Sequence, residues 1–467
     1  MARPAAADRS LPDHESLGQE SLGHESLGWN GTRHLHIDEH RRRRDDEAGG
    51  DDDSPPMTTA MAVIASGALV ILSTVLLSPG LDQLIKHLEE QGDSFASPET
   101  LGKVLVTTPA AVVAVMAFFG GWLLDRVGRR PVLLAGLAVF GVAGAAGGLL
   151  SSAIPLLISR IFVGVGLAGI LLSSTTLIGD YYDGRERRTM LGWQLAFLST
   201  SSVVMLFLAA YLVENYSWRY PFAIFGTSLL LLPWAWKTVH EPSEEQKESQ
   251  CEDETAEEPA CEDGGLPWQQ IALIYGGSFL ALAIFHIATT QIPGYLDELG
   301  YGSPYASAGV IAMMSGVAVP SSLMFDRVRD KLSPRSLLLI VFGVGAAGFL
   351  IAGVKQHIAT LLVGLFVFSL PYGLRTPSFN DWMLNVAPPK YRGRLMGGMT
   401  AATFAGIFCS PLISNPLDEA LGMPTVILIA AGMQAAFAGA FAYFAIFRRE
   451  ASQEEQSSEE EASAKAA

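Results

Sequence analysis

Hydrophobic positions in this chain gather into runs of about twenty residues, divided by short polar connections. The runs are 58–79, 103–124, 131–152, 154–178, 190–213 and 219–239, then 269–291, 304–325, 336–354, 357–380, 395–415 and 423–447. A bilayer core about 30 Å thick takes about 20 residues of helix, because its backbone N–H and C=O groups must bond to one another. The pattern predicts an all-α membrane protein with twelve transmembrane helices, in two groups of six.

The two groups echo each other. Asp125-Arg126-Val127 follows the second run and Asp326-Arg327-Val328 follows the eighth, 201 residues later. RERRTMLGW (185–193) after the fourth run matches KYRGRLMGG (390–398) after the tenth, displaced by 205. Two matches at nearly one offset predict pseudo-symmetric six-helix bundles, over 57–239 and 266–449.

Charge refines this division. The net charge is −16, yet the two bundles together hold 17 acidic and 22 basic residues. The acidity lies in residues 1–56, in a linker over 240–265 and in the tail 450–467. These segments are too polar to bury a core and are expected to be disordered. Residues 1–56 also contain HESLG-QESLG-HESLG (14–28), and the simplest account of them is a disordered tail or an extension upstream of a start at Met57 or Met61. Alternate connections between runs carry 15 Lys and Arg on one side, among them Arg185, Arg187, Arg188, Lys390, Arg392 and Arg394, against Lys86, Lys103, Arg219 and Lys355 on the other. The positive-inside rule then predicts a multi-pass protein of the cell membrane with both termini in the cytoplasm.

The densest motif is Gly121-Trp122-Leu123-Leu124-Asp125-Arg126-Val127-Gly128-Arg129-Arg130, between the second and third runs. Glycines near two helix ends let the turn close tightly. Asp125 can accept hydrogen bonds from an Arg or from helix N-terminal amides, a contact able to form in one conformation and break in another. These ten residues resemble the loop 2–3 motif of the major facilitator superfamily, and the twelve-run plan resembles that family over 57–449. The resemblance implies a monomeric two-domain transporter of a small molecule that works by alternating access, in which Gly121, Asp125, Arg126, Gly128, Arg129 and Arg130 latch the cytoplasmic side. Asp326 and Arg327 form a second copy of that latch without its glycines.

Arg160 lies inside the fourth run, where a guanidinium costs ~2.5–3.5 kcal/mol unless it meets a cavity or a partner. Its segment resembles the family pattern R-x-x-x-G-x-G, through Arg160, Gly164 and Gly166. That resemblance implies substrate or proton handling, while snorkelling to the nearer membrane face is the structural alternative. His286, in the outer part of the seventh run, is a candidate proton carrier or a hydrogen-bonded structural residue. Arg375 and Asp381, near the inner end of the tenth run, could form a gate pair or simply mark the membrane interface. Gln194, Gln291, Tyr372, Asn380 and Gln434 are further polar candidates for a cavity.

No Asp or Glu lies deep in any run, and the fifth run reads Leu206-Phe207-Leu208-Ala209-Ala210-Tyr211 where drug/proton antiporters of the family carry Gly-Pro. Coupling to a proton or another ion gradient would therefore use His286 or a carboxylate at a membrane face. HExxH, GxGxxG and GxxxxGK[ST] are all absent, so an enzyme, a bound cofactor and nucleotide-driven pumping find no support. Cys251, Cys261 and Cys409 make neither a disulfide framework nor a metal site, and basic residues form no nucleic-acid footprint. The expected function is secondary transport of a small solute, leaning to efflux of drug-like or sugar-like compounds. The alternative is a non-transporting membrane sensor that docks partners through its acidic segments.

Overall fold

A computed structural model describes residues 57–71, 73, 76–92, 97–182, 184–241, 267–355, 357–388 and 391–443. The predicted tails, and the linker beyond Glu241, lie outside these residues. Every regular element among the described residues is helical. Among the described residues, ten spans are long and apolar enough to cross a membrane: span 2 is Pro98–Val127, span 3 Arg129–Ala146, span 4 Ala153–Tyr181 and span 5 Gly184–Asn215. In the second bundle, span 7 is Trp268–Glu298, span 8 Pro304–Leu323, span 9 Pro334–Val354, span 10 Ile358–Val386, span 11 Arg392–Leu421 and span 12 Met423–Tyr443.

Spans 1 and 6 are interrupted. Span 1 is helical over Met57–Ala68, tightens to a 3-10 turn at Leu69–Ile71 and again at Ser78–Gly80, and gives way to a separate helix, Leu81–Gln91. Pro79 lacks the N–H that a continuous helix would need there. Span 6 is split at Gly226 into Phe222–Phe225 and Thr227–Thr238. Span 11, by contrast, runs unbroken through Pro411 and Pro416.

Local sequence explains several helix starts. Spans 2, 8 and 9 each begin with Ser-Pro, and the serines Ser97, Ser303 and Ser333 accept from the amides of Thr100, Ala306 and Ser336 at 3.3, 3.0 and 3.3 Å. Such a cap is worth ~1 kcal/mol, and proline at the first helical position loses no bond.

The buried apolar residues form two large cores, one drawn from Ala60 through Val239 and one from Ile271 through Phe441. Smaller clusters join them: Leu206 and Ala210 of span 5 meet Ala308 and Ile311 of span 8, and Ala110 of span 2 meets Leu282 of span 7 and Ile407 of span 11.

Span 10 holds the break that matters for function. Pro371 cannot donate to the Val367 carbonyl, which takes the Leu370 N–H instead at 3.3 Å. A 3-10 turn follows over Tyr372–Leu374 before the helix resumes at Arg375. Span 8 holds this turn in place, because the Gly373 amide donates to Ser321 Oγ at 3.1 Å. A Cβ on Gly373 would sit 2.6 Å from both Ser321 Oγ and the Ser322 amide nitrogen. Gly373→Ala is therefore expected to destabilise the protein by about 1–3 kcal/mol through overpacking. Its melting temperature in detergent should fall below that of the parent protein; an unchanged value would contradict the close approach.

Candidate functional site

Tyr372 lies fourteen residues from each end of span 10, so the break sits at mid-membrane depth. On one side the Phe285 ring of span 7 stacks on Tyr372, with centroids 4.8 Å apart and planes 15° apart. Arg375 folds back so that its guanidinium carbon is 5.0 Å from the Tyr372 centroid. One Arg375 nitrogen donates to Thr376 Oγ1 at 2.7 Å, while Nε and the Tyr372 hydroxyl meet no protein partner. Arg375 is half-buried and Thr376 exposed. A guanidinium at this depth is costly against hydrocarbon, and its buried Nε lacks a protein partner. His286 follows Phe285 in span 7 and is fully buried, with Nδ1 3.2 Å from the Leu282 carbonyl and Nε2 without a partner. The structure thus gathers His286, Tyr372 and Arg375 around an aromatic stack.

Other expected site residues lie elsewhere. Gln194 is in the first bundle, donating to Ser174 Oγ at 3.4 Å. Gln434 is buried against Gly345 of span 9, and Asn380 is half-buried on span 10. Arg160 turns into the first bundle: its guanidinium carbon is 4.8 Å from the Phe222 centroid and 5.0 Å from Phe225, and Nη2 donates to the Gly144 carbonyl at 3.4 Å. With 1% of its surface exposed it neither snorkels nor joins the Arg375 cluster. Beside it, a groove of about 650 Å³ between spans 3 and 4 is lined by apolar side chains such as Val142, Ile158 and Phe162, and offers no charge to a solute.

Asp381 corrects the expected pairing with Arg375. Its carboxylate takes Arg329 Nε at 2.5 Å, from the connection between spans 8 and 9. In the first bundle Arg129 Nε meets Asp180 at 3.0 Å. The acids are 201 positions apart and the arginines 200, so the two pairs are repeats of one contact. Arginine prevails over its in-helix neighbour because the pair ties the start of one span to the end of another.

Around the predicted latch, Gly128 has φ +95, and a Cβ there would lie 3.0 Å from the Glu241 carboxylate. That carboxylate accepts the Arg129 and Arg130 amides at 2.8 and 2.9 Å, capping span 3. Arg130 also donates to the Trp236 carbonyl at 2.8 Å. Arg126 lies over Trp122 at 5.5 Å, and Arg327 is exposed. The side chains of Gly121, Asp125 and Asp326 lie outside the described set.

The opposite face holds a contact absent from the sequence reading. Lys103, 4% exposed, donates to Glu99 one turn earlier and, across the bundles, to Gln291 Oε1 of span 7. Gln291 Nε2 donates to Ser414 Oγ and Asn415 Oδ1 of span 11, at 2.6 and 2.7 Å. Asn415 Nδ2 returns to the first bundle at Thr100 Oγ1, 3.2 Å away. Gln291 is therefore the hub of a clasp rather than a cavity lining. Acid groups ring it: Asp82, Glu99, Asp297, Glu298 and Asp418 all act electrostatically in this neighbourhood.

The family model of the Major Facilitator Superfamily matches residues 63–354 and 320–467. The chain belongs to that superfamily. It is similar to the cis,cis-muconate transport protein of Acinetobacter baylyi, with 26% identity covering 62% of this chain and 71% of the relative. It is also similar to the 3-(3-hydroxy-phenyl)propionate transporter of Escherichia coli, with 24% identity over 71% of this chain and 81% of the relative. The fold is that of the xylose transporter XylE from Escherichia coli in its partially occluded inward-open conformation, with TM-score 0.65 and 14% identity, covering 82% of this chain and 96% of that one.

As a Major Facilitator Superfamily member, the chain is a secondary active transporter of a small solute. Alternating access requires two faces that close in turn, and at the Lys103 face hydrogen bonds join the two bundles. Polar contacts between membrane helices average about 0.6 kcal/mol, with a maximum near 1.7. Two cross-bundle links then bias the equilibrium by roughly 1–3 kcal/mol, a range typical of switching proteins.

Gln291→Leu removes the hub and leaves Lys103 with Glu99 of its own helix alone. A cysteine placed at Ile407, buried between spans 2, 7 and 11, should then label about tenfold faster, corresponding to ~1.4 kcal/mol of bias; an unchanged rate would show that the clasp does not hold this face shut. Asp82, on the helix after span 1, has its carboxyl pushed up from the ordinary 3.8 by burial, and by Asp297 and Glu99, against the pull of Lys86 and Lys103. A raised acid disfavours folding once ionised, so its cost is full above the shifted value and vanishes below 3.8. Asp82→Asn should raise the melting temperature at neutral pH, with the gain disappearing as pH falls toward 3.8. A gain independent of pH would rule out this electrostatic cause.

Proposed function

We propose that this transporter carries small organic anions, specifically aromatic or unsaturated carboxylates. The observation that carries the reading is Arg375: a half-buried guanidinium at the broken midpoint of a span, with Nε unpartnered and an aromatic face beside it. A planar acid fits this arrangement, its carboxylate on the guanidinium fork and its π system against the Phe285–Tyr372 stack. The names of the muconate and hydroxyphenylpropionate relatives agree with this chemistry. Neutral sugars or cationic drugs would leave the arginine uncompensated, so the acid reading replaces the drug- or sugar-like substrate expected from sequence.

The same proposal places the arginine-rich connections and both termini in the cytoplasm of a cell-membrane protein, by the Lys and Arg asymmetry. The clasped Lys103 face is then external. A monomer suffices, since both bundles lie in one chain. Coupling of the anion to an ion gradient belongs to this reading.

Purified protein should bind an aromatic monocarboxylate roughly 100-fold more tightly than the corresponding amide, since loss of a buried charge partner costs about 2–5 kcal/mol. Arg375→Gln should erase that preference while the protein melts normally. Equal binding of acid and amide by the parent protein would sink the anion reading.

A further inference from the structure

The groove between spans 3 and 4 stands apart from Arg375, and its lining restricts what can fill it. Along span 3 it runs from Ala138 to Ala146, eight residues or about 12 Å of helix. That length is close to one leaflet's share of a bilayer core about 30 Å thick. Ala138 and Ala146 leave room between the larger Val142, Ile158 and Phe162, all three exposed on the outward side of the bundle. The hydroxyl in the lining, Ser159 Oγ, is already committed to the Ala143 carbonyl at 2.8 Å. A polar solute finds no partner there; a hydrocarbon chain needs none.

At the mouth of the groove, toward the Lys103 face, the chemistry changes. Leu150 is part of the lining, and at the next residue Ser151 Oγ accepts from Arg219 Nη2 at 3.1 Å. Arg219 Nη1 donates to the Gly148 carbonyl at 3.4 Å, and its guanidinium carbon lies 4.9 Å from the Trp218 centroid. These bonds occupy two of the five N–H donors of a guanidinium, and no carboxylate pairs with Arg219 among the described residues. Span 4 begins two residues after Ser151, with no side-chain cap from Ser152, so the positive end of a 29-residue helix lies at the same mouth. Connections on this side of the membrane carry four Lys and Arg against 15 on the other. The positive mouth is therefore a local feature and not part of a generally basic face.

We propose that the groove and its mouth bind one anionic phospholipid. An acyl chain lies along spans 3 and 4, and the phosphate meets Arg219, Ser151 and the start of span 4. Lipid tails are as apolar as the groove walls, so the bilayer supplies no hydrophobic driving force for this seat. What holds one lipid there over its neighbours is close packing of the chain and the charge at the headgroup. A second copy of the protein would account for the apolar lining but would leave the positive mouth unexplained. In the orientation proposed above, the lipid belongs to the outer leaflet. Every residue of the site is in the first bundle, so the lipid moves with that bundle as the two faces open in turn. The site is independent of the anion reading of Arg375, and each can fail without the other.

The test is lipid binding by the purified full chain, delipidated in detergent and titrated with dioleoyl phosphatidylglycerol or dioleoyl phosphatidylcholine. Native mass spectrometry counts the lipid bound. The parent protein should hold one phosphatidylglycerol, about fivefold more tightly than phosphatidylcholine, the preference that one arginine near a headgroup supplies. Arg219→Gln should abolish that preference and Arg219→Lys should keep it, a rescue that mere loss of loop packing would not give. Ala146→Phe, which fills the groove, should weaken both lipids alike. Phosphatidylglycerol brominated on its acyl chain should place bromine density beside Val142 and Phe162 in the parent protein, independently of any variant. Equal affinity for the two lipids, an undiminished preference in Arg219→Gln, or bromine located elsewhere would overturn the assignment. A dimer sealed through spans 3 and 4 with no lipid between the copies would overturn it as well.

Discussion

An uncompensated charge inside a bilayer costs several kcal/mol, and this structure is organised around cations that must each meet that constraint. Three of them meet it differently. Lys103 pairs with Glu99 of its own helix and also donates to the Gln291 amide of the other bundle, so part of its coordination depends on the bundles being together. Arg160 is enclosed by the faces of Phe222 and Phe225 and one carbonyl, all within the first bundle, which makes it part of that bundle's packing. Arg375 is stacked on Tyr372, with a buried Nε that has no protein partner. In the function proposed above, Lys103 belongs to a gate, Arg160 to the packing of the first bundle and Arg375 to the anion site.

These arrangements must be reversible for a carrier to work. A polar clasp suits that requirement better than an apolar seal, because its members can be rehydrated one at a time when the face opens. Two cross-bundle links supply enough bias to favour one conformation without trapping it. The repeated pairs Arg129–Asp180 and Arg329–Asp381 serve a different end. Each ties two spans of the same bundle, so each bundle can move as a rigid body while the clasp makes and breaks.

Much of this was legible in the sequence where the signal was local. Apolar run length located the spans, and the offset between Asp125-Arg126-Val127 and Asp326-Arg327-Val328 revealed the repeat that the two ion pairs later display in space. Tyr372, Arg375 and His286 could be singled out because polar residues within apolar runs are rare. What was not legible depended on contacts between distant elements. Asp381 reads as a partner for Arg375, six residues away in the same run, until span packing brings Arg329 to it. Gln291 reads as a cavity residue, and Lys103, Thr100 and Asn415 read as ordinary residues near span ends, since nothing in one run announces that spans 2, 7 and 11 converge. Hydropathy likewise counts spans 1 and 6 as whole helices because it weighs apolar content and ignores the N–H missing from Pro79.

The most direct test of the account is counterflow. Purified protein would be reconstituted into liposomes preloaded with unlabelled benzoate and diluted into a trace of the labelled acid. The account predicts transient, saturable accumulation of label that benzamide and xylose fail to compete away and that disappears when Arg375 is replaced by Gln. Absence of counterflow with any aromatic acid, from protein that does exchange a neutral solute, would contradict it.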